Sequence, residues 1–534
     1  MAKHLYKNTW RLSSIIVKRD RIRIPIWLVS LSILTFVVAL SFTELYSTKQ
    51  DRQAIAETMK NPAMTAMVGP SYGLENYTLG AMMAHQMLLF TAVAVATMSI
   101  LLMARHTRAD EEDGHIEMIR SLPTGRLSTL QAAIIVIFGT NIMLALIISI
   151  GISVLNIESM NLEGSLIYGA ALGATGIFFT ALTAVFAQLS ESSRGTIGLS
   201  FGALILAYLI RAVGDVGNET ISWSSPLGWI LASQVFVNNY WWPIILTVVI
   251  ALLLALLALY LNATRDLGSG FIPAKPGRER ASAFLQSPLG LSLRLQRNGL
   301  IAWAIGVFIL GASYGSVLGD IESFFKDIDM MGELLAPVEG ISLTEQFITM
   351  IMSIMAMICT IPVFMAILKI IGEERKRRTE HLLSRAVSRT RLMGSSLIIT
   401  IITSFVMLSF AAIGLWSASV FVIEDVISFG TLFSGAMVYL PAMWIMVGFA
   451  VLLIGIMPKV TSFIWLYLIY SFIVVYLGGL LKFPEWMSNL SPYGHTPQLP
   501  VEEMNFMTLS VLLIIAVVLS IIGFIGYNRR DIEG

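Results

Sequence analysis

Continuous apolar stretches recur twelve times along the chain, near residues 24–43, 82–104, 129–155, 165–187, 196–213, 242–261, 299–318, 347–371, 393–417, 432–457, 461–479 and 507–527. A helix needs about 20 mostly apolar residues to cross the hydrocarbon core of a bilayer. The pattern therefore predicts an all-α membrane protein with twelve transmembrane helices. The stretches are unbroken rather than alternating, which excludes a transmembrane β-barrel. Composition points the same way. Of 534 residues, 56% are hydrophobic and 13% charged, and mean hydropathy is +0.78. A soluble fold of this length could not bury so much apolar surface, whereas lipid solvates it. The first stretch is basic-flanked and too long for a cleaved leader, so it reads as an anchor. The single cysteine, Cys359, lies in an apolar run and reads as a small packing residue.

Charge sets the expected orientation. Segments 1–23, 105–128, 188–195, 262–298, 369–392, 458–460 and 528–534 together hold 29 of the 35 Lys and Arg residues. Basic loops stay on the cytoplasmic side during insertion. The asymmetry predicts a multi-pass protein of the cell membrane with both termini cytoplasmic. Twelve spans satisfy this, whereas an odd number would separate the basic N-terminus from the basic 369–392 loop.

Polar segments reveal an internal repeat. Glu117–Ser121 aligns with Glu380–Ser384 at an offset of 263, and Arg126 with Arg389 in the same register. Ser225-Pro226-Leu227-Gly228 aligns with Ser491-Pro492-Tyr493-Gly494 at 266, and Arg265-Asp266-Leu267 with Arg530-Asp531-Ile532 at 265. The reading is a six-span half over 1–261, a cytoplasmic linker over 262–298 containing Pro273 and Pro276, and a second six-span half over 299–534. Parallel repeats place a pseudo-two-fold axis along the membrane normal, an arrangement that favours transport.

The segments after spans two and eight carry the most chemistry. RHTRADEEDGHIEMIRSLPTGRLS (105–128) and KIIGEERKRRTEHLLSRAVSRTRL (369–392) each open acidic, continue as a short helix and then break. Ile116, Ile119 and Leu122 are expected to line one side of the first helix. The positive-inside rule explains the basic residues but not the acidic ones. Glu111, Glu112, Glu117, Arg126, Glu373, Glu374, Glu380 and Arg389 are therefore candidates for coupling to a soluble partner through charge-assisted hydrogen bonds.

At these residues the chain resembles the permease subunits of type-2 ABC exporters, and within them the twelve-span branch that exports polyketide and polyether antibiotics, the tetronasin-resistance type. That branch carries paired glutamates, Gly-Arg, a further Glu with two leucines, and Pro-Val-Gly/Ser-Arg after span two. Glu111-Glu112, Gly114, Glu117, Pro123 and Gly125-Arg126 match it, as do Glu373-Glu374, Glu380, Leu382-Leu383 and Val387-Ser388-Arg389. Leu291–Trp303, Trp223–Trp229 and Pro484–Pro500 extend the likeness over essentially the whole chain. His115, Arg377-Arg378 and Ala386 depart from it. The resemblance implies two tandem type-2 ABC permease repeats and a partner ATP-binding subunit in two copies, which would hold ATP and Mg. It implies coupling helices at the two elbows, with a second coupling set near 189–195 and 458–460. It also implies a hydrophobic small-molecule cargo, a pathway lined by spans two, five, eight and eleven, and an outer hairpin closing it. Met83, Met87, Phe90, Met352 and Met355 are its candidate lining residues.

No G-x-x-x-x-G-K-[ST] phosphate loop occurs, so ATP hydrolysis would belong to another chain. No cofactor, metal site, catalytic constellation or nucleic-acid role is expected on this one. Arg211 and Asp215, four apart near the outer end of span five, read as a local ion pair, and His85 as an interfacial residue. Aromatic-rich segments before spans six and twelve read as interfacial or re-entrant hairpins. The alternative is an ion-coupled secondary multidrug transporter, against which the scarcity of intramembrane carboxylates weighs. A membrane-embedded enzyme or sensor would need reactive residues gathered at one depth.

Overall fold

The computed structural model describes residues 5–60, 62–272, 280–320, 343–384, 387–422, 428–477, 484–499, 501–502 and 504–531. Among these, eleven helices are long and apolar enough to cross a membrane, and a twelfth apolar helix, Phe463–Leu477, is shorter. The protein is an all-α multispan membrane protein. The chain divides into two units, Met1–Pro276 and Gly277–Gly534.

In the first unit an N-terminal helix, Thr9–Arg19, precedes span one, Arg23–Leu45. Span two is Leu79–Ala104, prolonged by a widened π-turn over Arg105–Ala109 and a last turn to Glu112. Spans three to six are Ser128–Val154, Leu162–Leu189, Ser193–Gly217 and Trp242–Thr264. Span four is the most enclosed, packing on spans two, three, five and six. Polar groups lock spans two and three together. Asn141, fully buried, donates to Ser99 Oγ at 3.0 Å and to the Ile137 carbonyl at 3.0 Å. In lipid such interhelical bonds replace the hydrophobic drive that water would supply.

The outer segment between spans one and two folds as two helices, Lys49–Met59 and Pro62–Val68. Thr48 Oγ1 accepts from the Asp51 amide and Asp51 Oδ2 from the Thr48 amide, both at 3.1 Å, so a reciprocal capping box starts the first. Pro62 opens the second, where a missing N–H costs nothing.

In the second unit spans seven to nine are Pro288–Val317, Leu343–Arg375 and Arg389–Ser419. Span ten is broken into Phe429–Met437 and Leu440–Ile456, with Pro441 at the restart. Span eleven is Phe463–Leu477 and span twelve Phe506–Arg529. Spans ten and twelve touch backbone to backbone. A Cβ on Gly455 would sit 2.0 Å from the Gly523 carbonyl oxygen.

One expectation needs correction. The segment 288–298 is helix, not linker, because Ser287 caps the Gly290 amide and Pro288 starts the first turn. Arg294, Gln296, Arg297 and Asn298 kept its hydropathy low. The linker prolines Pro273 and Pro276, most of the 319–346 outer segment, and Ala386 lie outside the described residues.

Candidate functional site: paired elbows and their clamps

The first elbow helix is His115–Arg120 and the second Arg378–Leu383, at the same offset of 263 that the sequence showed. Each begins after a residue in the left-handed region: Gly114 at φ 75° and Arg377 at φ 57°. Glycine adopts this conformation freely. Arginine adopts it against its Cβ, so the departure at Arg377 changes the residue but keeps the turn.

Behind each elbow lies a buried clamp. Glu111 accepts from Arg265 Nη2 at 2.9 and 3.1 Å, from Arg108 Nη1 at 3.1 Å and from the Gly268 amide at 2.7 Å. Glu374 accepts from Arg530 Nη2 at 2.6 Å and from the Tyr527 hydroxyl at 2.8 Å. Arg126 donates to the Arg265 carbonyl at 2.9 Å, and Arg389 to that of Arg530. Two of the three aligned polar motifs therefore meet in space in each unit, the elbow register that ends at Arg126 or Arg389 and the motif that opens at Arg265 or Arg530. In each unit the elbow glutamate and the elbow-end arginine both grip the arginine that ends the unit's last span. The π-turn serves the first clamp. It swings Arg108 inward, where Nε donates to the Ala187 carbonyl of span four at 2.7 Å.

Of the eight coupling candidates, Glu111 and Glu374 face inward, with side chains 6% exposed. They hold the elbows from behind. Glu373 pairs with Lys369 at 3.1 Å and Arg378 at 3.4 Å. Glu112 accepts from the Ser193 amide at 2.8 Å, tying the first elbow to the turn that starts span five. Glu117 and Glu380 are exposed, one on each elbow helix. Ile116 is buried and Ile119 half-buried, but Leu122 is 58% exposed. The elbow helix ends at Arg120, so Leu122 falls in the following turn rather than on its inner face.

The hairpins before spans six and twelve repeat as closely. Trp229 Nε1 donates to the Trp223 carbonyl at 2.6 Å, and His495 Nε2 to that of Asn489 at 2.8 Å. A Cβ on Gly228 would lie 2.2 Å from the Ser222 carbonyl oxygen, and one on Gly494 2.4 Å from that of Ser488. Only glycine fits either site. Ser225 Oγ donates to the Ala207 carbonyl of span five at 2.7 Å. In the second hairpin, buried Tyr493 bonds Thr360, near the middle of span eight, so this hairpin is re-entrant. Tyr467 and Tyr470 of span eleven hold it by the Leu490 and Met487 carbonyls at 2.7 and 2.9 Å.

The family described as multidrug efflux system permease Rv1217c, C-terminal domain, matches residues 285–528. The multidrug efflux system permease protein Rv1217c of Mycobacterium tuberculosis (strain ATCC 25618 / H37Rv) is 34% identical over 534 residues, covering 99% of this chain and 96% of that protein. This chain belongs to that family of multidrug efflux permeases. Both matches are to multidrug efflux permeases rather than to the polyketide and polyether branch.

Within this permease the five candidate lining residues separate. Met83 is fully enclosed, and Met352 and Met355 belong to the core of the second unit. Met87 is half-buried and Phe90 is 43% exposed. Arg211 does pair with Asp215, at 3.0 Å, and both are buried. It also donates to the Ala66 carbonyl at 2.7 Å, and Tyr208 to that of Met67 at 2.9 Å. These groups cap the outer helix Pro62–Val68 from span five. His85, read from sequence as interfacial, is buried. The Gly69 carbonyl can only accept, which fixes the proton on Nε2, so the Tyr77 hydroxyl donates to His85 Nδ1 at 2.9 Å. Nε2–H then donates to the Gly69 carbonyl at 3.2 Å. Sequence reasoning missed these outer contacts because carbonyl acceptors carry no side-chain signature.

Proposed function

We propose that this permease is the transmembrane subunit of an ATP-driven ABC exporter that moves hydrophobic, drug-like compounds out of a bacterial cell. A separate ATP-binding subunit, one copy under each half, would bind ATP and Mg. The basic ends of the spans, with both termini, would face the cytoplasm, as the distribution of Lys and Arg supports.

The observation that carries the reading is the duplicated clamp. Each elbow helix presents an exposed glutamate, Glu117 or Glu380, while a buried glutamate fixes its base to the last span of its unit. Force on the elbow would pass into spans two and eight, and through the clamp into spans six and twelve, because buried ion pairs resist separation. Glu112 would carry the same motion into span five. The absence of a phosphate loop from the sequence supports hydrolysis by a separate subunit. The likeness of the elbow motifs to polyketide and polyether exporters supports a hydrophobic antibiotic as cargo. Met87 and Phe90 are the lining candidates that remain accessible.

The test is co-purification of the tagged permease with its ABC ATPase, for the wild type and for Glu117→Lys with Glu380→Lys. The reading expects the ATPase to be lost from the double variant while the permease stays monodisperse. Unchanged recovery of the ATPase would remove the coupling role from these residues.

A further inference from the structure

The N-terminal helix Thr9–Arg19 lies flat at the basic end of the first unit, as its two anchors show. At its start, the Leu127 amide donates to the Leu5 carbonyl at 3.0 Å, the Gly125 amide to that of Lys7 at 3.0 Å, and Thr9 Oγ1 to Gln131 at 3.1 Å. These partners sit at the beginning of span three. At its end, Arg19 pairs with Asp110 at 2.6 Å and Asp20 accepts from His106 Nε2 at 2.6 Å, both at the foot of span two. Both anchors are at span ends, so the eleven-residue helix, about 16 Å long, runs along the membrane surface. Span one then enters the bilayer at Arg23.

Its inner face packs Leu12 and Ser13 onto span three. Its outer face presents two stripes. Trp10, Ser14 and Val17 form one, with Trp10 80% exposed. Arg11, Ile15 and Lys18 form the other, and all three are exposed. Between Leu5 and Arg23 there are six basic residues and one acid, Asp20, which is buried and engaged by His106. Lys7, Arg11, Lys18 and Arg21 make no ion pair among the described residues and are exposed. An exposed tryptophan beside unpaired cations at headgroup depth is the pattern of a surface that binds acidic lipid.

We infer that the outer face of the Thr9–Arg19 helix docks anionic phospholipid headgroups, with Trp10 and Val17 seated at the acyl boundary and Arg11 and Lys18 on the phosphates. The bound lipid also bears on the first elbow, since Arg19 and Asp20 of the same segment hold Asp110 and His106 at the foot of span two. Among the described residues the second unit has no counterpart: there the helix from Pro288 runs unbroken into span seven.

The experiment uses the full chain with Cys359→Ser and Ser14→Cys, the new thiol carrying an environment-sensitive fluorophore. The protein is placed in nanodiscs of phosphatidylcholine, alone or mixed with phosphatidylglycerol. Quenching by acrylamide, which is uncharged, reports the probe's access to water. Access should fall as phosphatidylglycerol rises, and high salt should restore it. Each charge near an anionic surface strengthens association about fivefold, so Arg11→Gln with Lys18→Gln should abolish most of the response. Equal access in the two lipids would overturn the inference. So would protection that comes only on adding the ABC ATPase, because the face would then belong to a protein partner. The salt arm needs no substitution in the basic stripe, so the inference stays testable if the double variant folds poorly.

Discussion

Glu374→Gln removes the charge of the second clamp while keeping its shape. The Glu374 side chain is 6% exposed and that of Arg530 14%, so water cannot take over the lost carboxylate. The 2.6 Å bond loses its charge assistance, and the amide oxygen can stay on the guanidinium only if the NH2 group turns to the Tyr527 hydroxyl, which must then accept instead of donate. Removing one partner of a buried ion pair costs about 3–5 kcal/mol, against at most about 1 for an exposed one. Arg530 keeps a little solvent and stacks over the Tyr527 ring at 4.9 Å, so the low end, about 3 kcal/mol, is expected. Arg530→Gln should cost a similar amount. The double variant should cost less than their sum by about 2 kcal/mol, because neither charge is then stranded. The native cysteine supplies the assay. Cys359 is the single thiol and is fully buried in the second unit, so a thiol-reactive dye reports melting of that unit without an added label. Each single variant should melt earlier, and the double earlier still, but by clearly less than the sum of the two single shifts. Strictly additive shifts would show that the two residues are not coupled and would refute the clamp.

Gly228→Ala and Gly494→Ala should each cost at least about 2 kcal/mol through overpacking against a carbonyl, read as loss of monodisperse protein on size exclusion. Arg377→Gly should raise the melting midpoint of the second unit by relieving about 1 kcal/mol of left-handed strain. Arg211→Gln should strand Asp215 and uncap the outer helix at a cost of about 3 kcal/mol, and limited proteolysis should then cut between residues 49 and 68 sooner. Tyr493→Phe should cost only about 1 kcal/mol, because Thr360 keeps its bond to the Ala356 carbonyl at 2.9 Å; the dye melt checks it.

The spans were readable because apolar runs of membrane-crossing length have few other uses. Eleven helices of membrane-crossing length and a shorter twelfth fall where the hydropathy pattern places them, with some ends extended by about two or three turns where polar residues continue the helix, as at Pro288 and in the π-turn to Glu112. The repeat was readable from matched polar loops. What alignment could not give was the reason for the matches. Glu111 and Arg265 stand 154 residues apart, and nothing local says that one grips the other. For the same reason the paired glutamates looked alike in sequence, although one of each pair is buried in a clamp. The flat N-terminal helix was counted only as basic loop, since its role comes from anchors on spans two and three. The break in span ten was also hidden, because Pro441 lies within an uninterrupted apolar run.

The most direct test of the account is transport in proteoliposomes. The permease alone, and the permease with its ABC ATPase, are loaded with a hydrophobic fluorescent drug and given either ATP or an imposed proton gradient. Movement that requires both the ATPase and ATP, and that disappears with Glu117→Lys and Glu380→Lys, is the predicted result. Gradient-driven movement by the permease alone would contradict it and identify an ion-coupled transporter instead.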